Sequence, residues 1–251
     1  LLFLLASWLF RKRQDGKLCH VLEASALALL GIMSYYLTRQ AFHPDADTIY
    51  MQASFVERGI ITNMFFLFAL GCFWVGRRYA RPAFSAVAVV MTGMALLRVL
   101  YFDLLRYNPL FHHDSVGSAP LFNALWLPYA LPLFYLWQAR REVQYLSWHF
   151  PRAERFALAV PLLLLFTFIT LQTRQLFQGE YLTGSATDTE LYAYSAAWLL
   201  LGIGLLIGGF RLDDRHLRYA SLGMMLLVIG KVFLWDASEL SGLYRVFSFL
   251  G

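Results

Sequence analysis

The chain has 251 residues, 59% hydrophobic, 17% aromatic and only 15% charged, with a formal net charge of +5. A soluble domain carries nearer a quarter charged residues, so an ordinary soluble globular protein is excluded. The positive excess sits in alternate loops between apolar runs, as a topogenic bias does, and implies no nucleic-acid partner.

Leu1–Phe10 reads as the end of a preceding span, followed by the basic stretch Arg11-Lys12-Arg13 with Lys17. Complete membrane spans follow at 18–38, 54–76, 82–102, 121–139, 156–172, 190–210 and 217–235, and Phe247–Gly251 begins another. With no initiator Met and no signal-peptide pattern, both ends read as cuts through a larger protein. Arg77, Arg78 and Arg81, then Arg140, Arg141, Arg152 and Arg155, then Arg211, Arg215 and Arg218 occupy alternate loops with the first basic stretch. These loops hold 14 of the 21 Lys and Arg residues, which places them in the cytoplasm. Asp45, Asp47, Asp114, Glu180, Asp188 and Glu239 fall on the opposite side.

Several packing signals lie along the spans. Gly202, Gly204, Gly208 and Gly209 form a smooth stripe containing one GxxxG pair, a signature of close helix approach. Pro128, Pro132 and Pro161 each remove a backbone hydrogen bond and favour kinks. Trp8, Tyr35, Tyr36, Tyr101 and Trp235 sit near span ends, as interfacial anchors do. Val143, Tyr145, Leu146, Trp148 and Phe150 suggest a short element on the cytoplasmic interface, ended by Pro151. Cys19 and Cys72 lie at a helix end and inside a span, a poor arrangement for a disulfide. No sequence pattern implies a redox, zinc or nucleotide cofactor.

The chain also says one thing twice. Thr38-Arg39-Gln40-Ala41-Phe42 recurs as Thr173-Arg174-Gln175-Leu176-Phe177, followed by Glu57 with Glu190, Gly71 with Gly204 and Gly76 with Gly209. Arg98-Val99 then matches Lys231-Val232, and Asp103 matches Asp236. The expected fold is therefore an all-α polytopic transmembrane helical bundle of two parallel four-helix repeats, a fragment of a larger membrane protein. Its parts are 1–17 (the end of a preceding helix and a cytoplasmic loop), 18–139 (first repeat), 140–155 (interfacial linker) and 156–251 (second repeat, truncated in its last helix).

Charge repeated within apolar sequence marks a candidate site, because ionisable groups in a bilayer survive only when paired or hydrated. Measured up from the turn at 77–81, Glu57 and Arg98 lie about 20 and about 17 residues along their helices, near the outer edge of the hydrocarbon core. The expectation is a cross-helix pair Glu57–Arg98, its copy Glu190–Lys231, and Arg39, Asp103, Arg174 and Asp236 just outside them. These eight residues either bolt helix ends together or line a polar vestibule. A second candidate region is the outer loop with His112, His113 and Asp114, near His43, Asp45 and Asp47. Histidines beside carboxylates suit a metal or general acid–base chemistry, but solvated loop residues are more often merely solvated. No metal or catalytic residue is assigned.

Lys231–Gly251, read as KVFLWDASELSGLYRVFSFLG, resembles the C-terminal signature of a large bacterial membrane-protein family, domain of unknown function 2339. Asn108-Pro109-Leu110, Val116-Gly117, Pro120-Leu121-Phe122-Asn123 and Tyr129-Ala130-Leu131-Pro132 are similar to the equivalent stretch of its preceding repeat. The resemblance implies a larger parent with more helices upstream, a short remaining tail and a multi-pass place in the bacterial inner membrane. It implies no reaction. The leading expectation is transport or export of an envelope-related or small polar substrate. An integral membrane enzyme acting on a lipid or glycan at the periplasmic face, and a scaffold for a periplasmic envelope protein, are the alternatives. Expected partners are the lipid bilayer, the remainder of the same chain and that possible envelope protein.

Overall fold

The computed structural model describes residues 16–44, 52–146 and 153–236. Seven α-helices run through them: α1 Gly16–Phe42, α2 Phe55–Arg78, α3 Pro82–Leu97, α4 Ala130–Leu146, α5 Ala153–Gln178, α6 Asp188–Arg211 and α7 Arg215–Lys231. Two of them widen into π-helix, α3 over Arg98–Arg106 and α7 over Val232–Asp236. Six helices are long and apolar enough to cross a membrane. Large apolar side chains such as Leu67, Trp74, Val90, Leu97, Leu200 and Leu226 are exposed, while Glu57, Asp103 and Glu190 are buried. That inversion suits lipid, which solvates apolar side chains and leaves polar groups to find partners inside the bundle.

Contacts divide the chain into two compact units, one of residues 1–108 with 126–153 and one of 109–125 with 154–251. In the first, α2 packs on α3, α1 lies against both and α4 lies against α2. In the second, α6 packs on α7, and α5 is tied to α6 by side chains. Phe166 meets Trp198 with ring centroids 4.9 Å apart, and the Trp198 indole N–H donates to Thr170 Oγ1 at 3.0 Å.

Local sequence explains the helix ends. Ser54 and Thr187 cap α2 and α6, accepting from the backbone N–H of Glu57 and Glu190 at 3.3 Å in each case. Ser-x-x-Glu and Thr-x-x-Glu are capping-box sequences, but here both carboxylates turn away to other partners. Pro82 opens α3 at a position whose N–H would find no acceptor anyway. Asp214 caps α7, accepting from His216 N at 2.9 Å.

The turns joining α2 to α3 and α6 to α7 are alike in detail. Tyr79 N donates to Val75 O at 3.0 Å and Arg81 N to Gly76 O at 2.9 Å. Leu212 N donates to Gly208 O at 2.9 Å and Asp214 N to Gly209 O at 3.0 Å. Ala80 and Asp213 both take left-handed backbone, φ 49° and 48°. A Cβ on Gly76 would lie 3.1 Å from Ser85 N and 3.3 Å from Arg81 O, and one on Gly209 would lie 3.0 Å from Arg218 N and 3.3 Å from Asp214 O. Backbone cannot yield as a side-chain tip can. Gly76→Ala and Gly209→Ala should each lower stability by about 1–3 kcal/mol, read as the unfolding midpoint of the full-length protein in neutral detergent. Gly71→Ala, which meets nothing within 4 Å, is the matched control.

Three sequence expectations change, and a fourth falls mainly outside the described residues. The span expected at 121–139 is helical only from Ala130; before it lie bends and a short 3-10 turn at Ala124–Trp126. Pro128 and Pro132 deny two N–H groups there, and Asn123 Oδ1 accepts from Leu125 N at 3.0 Å, holding a turn in place of helix. Pro161 lies inside α5 and Pro132 in the first turn of α4, while Pro128 lies before that helix. Of the glycine stripe, Gly202 and Gly209 approach α7 closely, whereas the GxxxG pair Gly204 and Gly208 meets nothing within 4 Å. The interfacial element expected after Val143 begins as a continuation of α4 to Leu146; Trp148 and Phe150 lie outside the described residues, as do Trp8, Asp45, Asp47 and the span after Phe247.

Candidate functional site

In the first unit the C-terminal end of α1, the N-terminal end of α2 and the π-helical end of α3 come together. Thr38 folds back onto its own helix, donating to Ser34 O at 2.8 Å, and Arg39 extends to α2. Arg39 Nη1 reaches Glu57 Oε1 at 2.8 Å and His43 Nε2 lies 3.0 Å from Glu57 Oε2. Glu57 is wholly buried and both its oxygens are occupied. The expected Glu57–Arg98 pair is therefore corrected: the cation on Glu57 is Arg39, from the repeated Thr-Arg-Gln segment.

Arg98 belongs to a second group. Its Nε donates to Thr62 Oγ1 at 3.4 Å, and Thr62 Oγ1 donates to Asp103 Oδ2 at 3.4 Å. Arg58 Nε lies 4.0 Å from Asp103 Oδ1 and the Arg58 guanidinium sits over the Tyr107 ring, 4.9 Å from its centroid. Tyr129 donates to the Asp103 backbone carbonyl at 2.7 Å, tying the start of α4 to the π-helical segment. Glu57 and Arg58 are adjacent yet both buried, because α2 is packed by α1, α3 and α4 at once.

The second unit repeats the bridge with more partners. Thr173 donates to Ile169 O at 2.8 Å and Arg174 Nη1 reaches Glu190 Oε1 at 2.9 Å. Arg174 also donates from Nε to Leu182 O at 2.7 Å and from Nη2 to Gly184 O at 2.5 Å, tying down the segment between α5 and α6. Tyr194 donates to Glu190 Oε1 at 2.5 Å and Gln178 Nε2 to Glu190 Oε2 at 3.1 Å. Lys231 Nζ instead donates to Leu191 O at 2.8 Å and Ser195 Oγ at 2.7 Å, which corrects the expected Glu190–Lys231 pair. In each unit, then, the later cation goes to a hydroxyl on the helix that carries the glutamate, Thr62 or Ser195. The Asp236 side chain lies outside the described residues.

The outer loop does not draw its histidines together. His112 Nδ1 lies 3.7 Å from Asp114 Oδ2. His113 stacks on Tyr181, 4.4 Å between centroids, with Nδ1 3.1 Å from Thr183 Oγ1. Val116 N donates to Glu180 O at 3.0 Å, and Gln175 Nε2 donates to the carbonyls of Gly117 and Ala119 at 3.2 and 3.3 Å. The loop from Pro109 is thereby held to the second unit. Among the described residues no three His, Cys, Asp or Glu side chains are grouped as metal ligands.

Sequence reasoning missed Arg58, Thr62, Tyr194, Gln178 and Ser195. It also missed a network at the opposite end of α1, where buried Glu23 accepts from Arg81 and, at 3.8 Å, from Cys19 Sγ. A lone acid inside an apolar run was the available signal for Glu23. The spacing of four between Arg58 and Thr62, one helical turn, was the signal for the Asp103 group.

Apolar helices facing outward around enclosed charge define a multi-pass α-helical membrane protein. The chain belongs to the family described as Predicted membrane protein (DUF2339), which matches it over residues 1–251. Comparison with curated proteins and with solved structures finds no match.

Proposed function

We propose that this chain is part of a bacterial inner-membrane system that transports or exports an envelope-related or small polar substrate, met at the periplasmic end of its helical units. One observation carries the reading. Arg58, Arg98, Thr62 and Asp103 form a charged group inside the first unit in addition to the Arg39–Glu57 bridge that already anchors those helix ends. Ionisable groups held in a membrane beyond structural need are the usual mark of a substrate path. The test is mass spectrometry of lipid or glycan retained by the purified full-length protein. A compound kept by the wild type, lost from Arg98→Gln and carried across proteoliposome membranes supports transport. Retention of no such compound overturns it.

The Arg174–Glu190–Gln178–Tyr194 network supports a second reading, a scaffold for a periplasmic envelope protein, since its polar atoms are occupied within the chain.

Sidedness follows from the basic loops. Cysteine introduced as His113→Cys should react with a membrane-impermeant maleimide in intact cells, and Tyr79→Cys only after permeabilisation. Cys19 and Cys72 are buried and should add little background. The opposite labelling pattern would reverse the assignment.

A further inference from the structure

Arg98 differs from its counterpart Lys231 in what it leaves unused. Arg98 opens the π-helical segment after α3 and Lys231 is the last residue of α7 before its π-helical segment, a distortion frequent at functional sites. Lys231 donates to a carbonyl and a hydroxyl. Arg98 makes one hydrogen bond, from Nε to Thr62, and packs over the Phe102 ring at 5.7 Å. A guanidinium has five N–H donors, and among the described residues no acceptor meets the four on Nη1 and Nη2. Arg98 is also partly exposed, while Arg58 and Asp103 behind it are buried. Its surroundings, Leu97, Tyr101 and Leu105, are exposed in the manner of a membrane-facing helix end.

The charge count points the same way. Among the described residues gathered at this end, Arg39, Arg58 and Arg98 face two carboxylates, Glu57 and Asp103, and Arg98 feels Asp103, Arg58 and Arg39 electrostatically. Counted over those described residues, cations outnumber carboxylates by one, and the partly exposed member is Arg98, a planar, forked donor. That fork matches the oxygens of a phosphate bidentately, where an ammonium offers only a point charge.

We propose that Arg98, backed by Arg58 and oriented by Thr62, binds the phosphate of a phosphate-bearing ligand, an anionic lipid headgroup or a soluble phosphate, at this end of the first unit. The assignment rests on reading that end as a substrate-side site. Phosphate binding without any transport would leave it standing and overturn the transport reading alone.

The test uses the purified full-length protein in phosphatidylcholine nanodiscs with and without phosphatidylglycerol, with bound lipid counted by native mass spectrometry. Wild type should retain phosphatidylglycerol, and Arg98→Gln should weaken retention about ten-fold or more, the equivalent of about 1.4 kcal/mol. Arg106→Gln, which removes a nearby exposed cation, should change it less than about two-fold. Arg98→Lys keeps the charge without the fork and should also lose retention, which serves if the glutamine variant does not fold. Inorganic phosphate that competes with the lipid in an Arg98-dependent way assigns a soluble phosphate, and failure to compete assigns the headgroup. Equal retention by wild type and both Arg98 variants, or an equal loss on Arg106→Gln, overturns the site.

Discussion

Glu57→Ala should lower the stability of the first unit by about 3–5 kcal/mol, the range found when one partner of a buried ion pair is removed. Glu57 is wholly buried and the Arg39 side chain is 6% exposed, so the deletion removes a carboxylate at 2.8 Å from a guanidinium that is held largely away from water. His43 also loses its acceptor, and the N-cap bond from Glu57 N to Ser54 remains, so the loss belongs to the side chain. The double variant Arg39→Leu with Glu57→Leu should recover most of the loss, because a well-packed apolar pair avoids desolvating two charges. Glu190→Ala should be milder: the Arg174 side chain is 13% exposed and keeps its bonds to the carbonyls of Leu182 and Gly184. The measurement is unfolding of the full-length protein in neutral detergent, followed by intrinsic fluorescence. A Glu57→Ala protein within about 1 kcal/mol of wild type would show the bridge to be dispensable.

The difference between those two glutamates also shows what sequence could and could not disclose. That Arg39, Glu57, Arg174 and Glu190 need polar partners was readable, because a charge within an apolar run is costly unless it is paired or hydrated. Their partners were not readable. A helix that is apolar all round has no polar face from which to read its rotation. Nothing in α2 therefore announced that Glu57 turns to α1, and only the one-turn spacing of Arg58 and Thr62 hinted that both face Asp103 on the π-helical segment. Depth was a fair guide, since Arg98 and Glu57 do lie at the same end, but height alone does not choose between Arg39 and Arg98. The π-helical turns were invisible for a related reason: they shift the phase of every side chain after Leu97 and Lys231 without changing composition. The lost span before Ala130 was a failure of weighting. Leu121 to Tyr129 is apolar enough to cross a membrane, but Pro128 and Pro132 remove the N–H groups that a helix there would need.

Asp103→Asn should lower stability about as much as Glu57→Ala, by about 3–5 kcal/mol in neutral detergent, although it preserves volume and a hydrogen-bonding side chain. One carboxylate there serves two guanidiniums: Arg58 Nε at 4.0 Å directly, and Arg98 through Thr62. Neutralising it leaves buried Arg58 and partly exposed Arg98 as interacting like charges without that carboxylate, so repulsion is added to the lost attraction. The Tyr129 bond is to the Asp103 backbone carbonyl and survives the substitution, which keeps the junction with α4 as an internal control. The same change raises the positive excess at Arg98. If Arg98 holds phosphate, phosphatidylglycerol should restore part of the lost stability to Asp103→Asn and bind it more tightly than wild type, since a ligand that binds only the folded state stabilises it by mass action. Arg98→Gln added to Asp103→Asn should remove that rescue while relieving the repulsion. An Asp103→Asn protein as stable as wild type without lipid would mean that the two arginines are hydrated and not held by the carboxylate. Destabilisation that lipid does not touch would leave Asp103 a structural counter-ion and remove the phosphate from the account of Arg98.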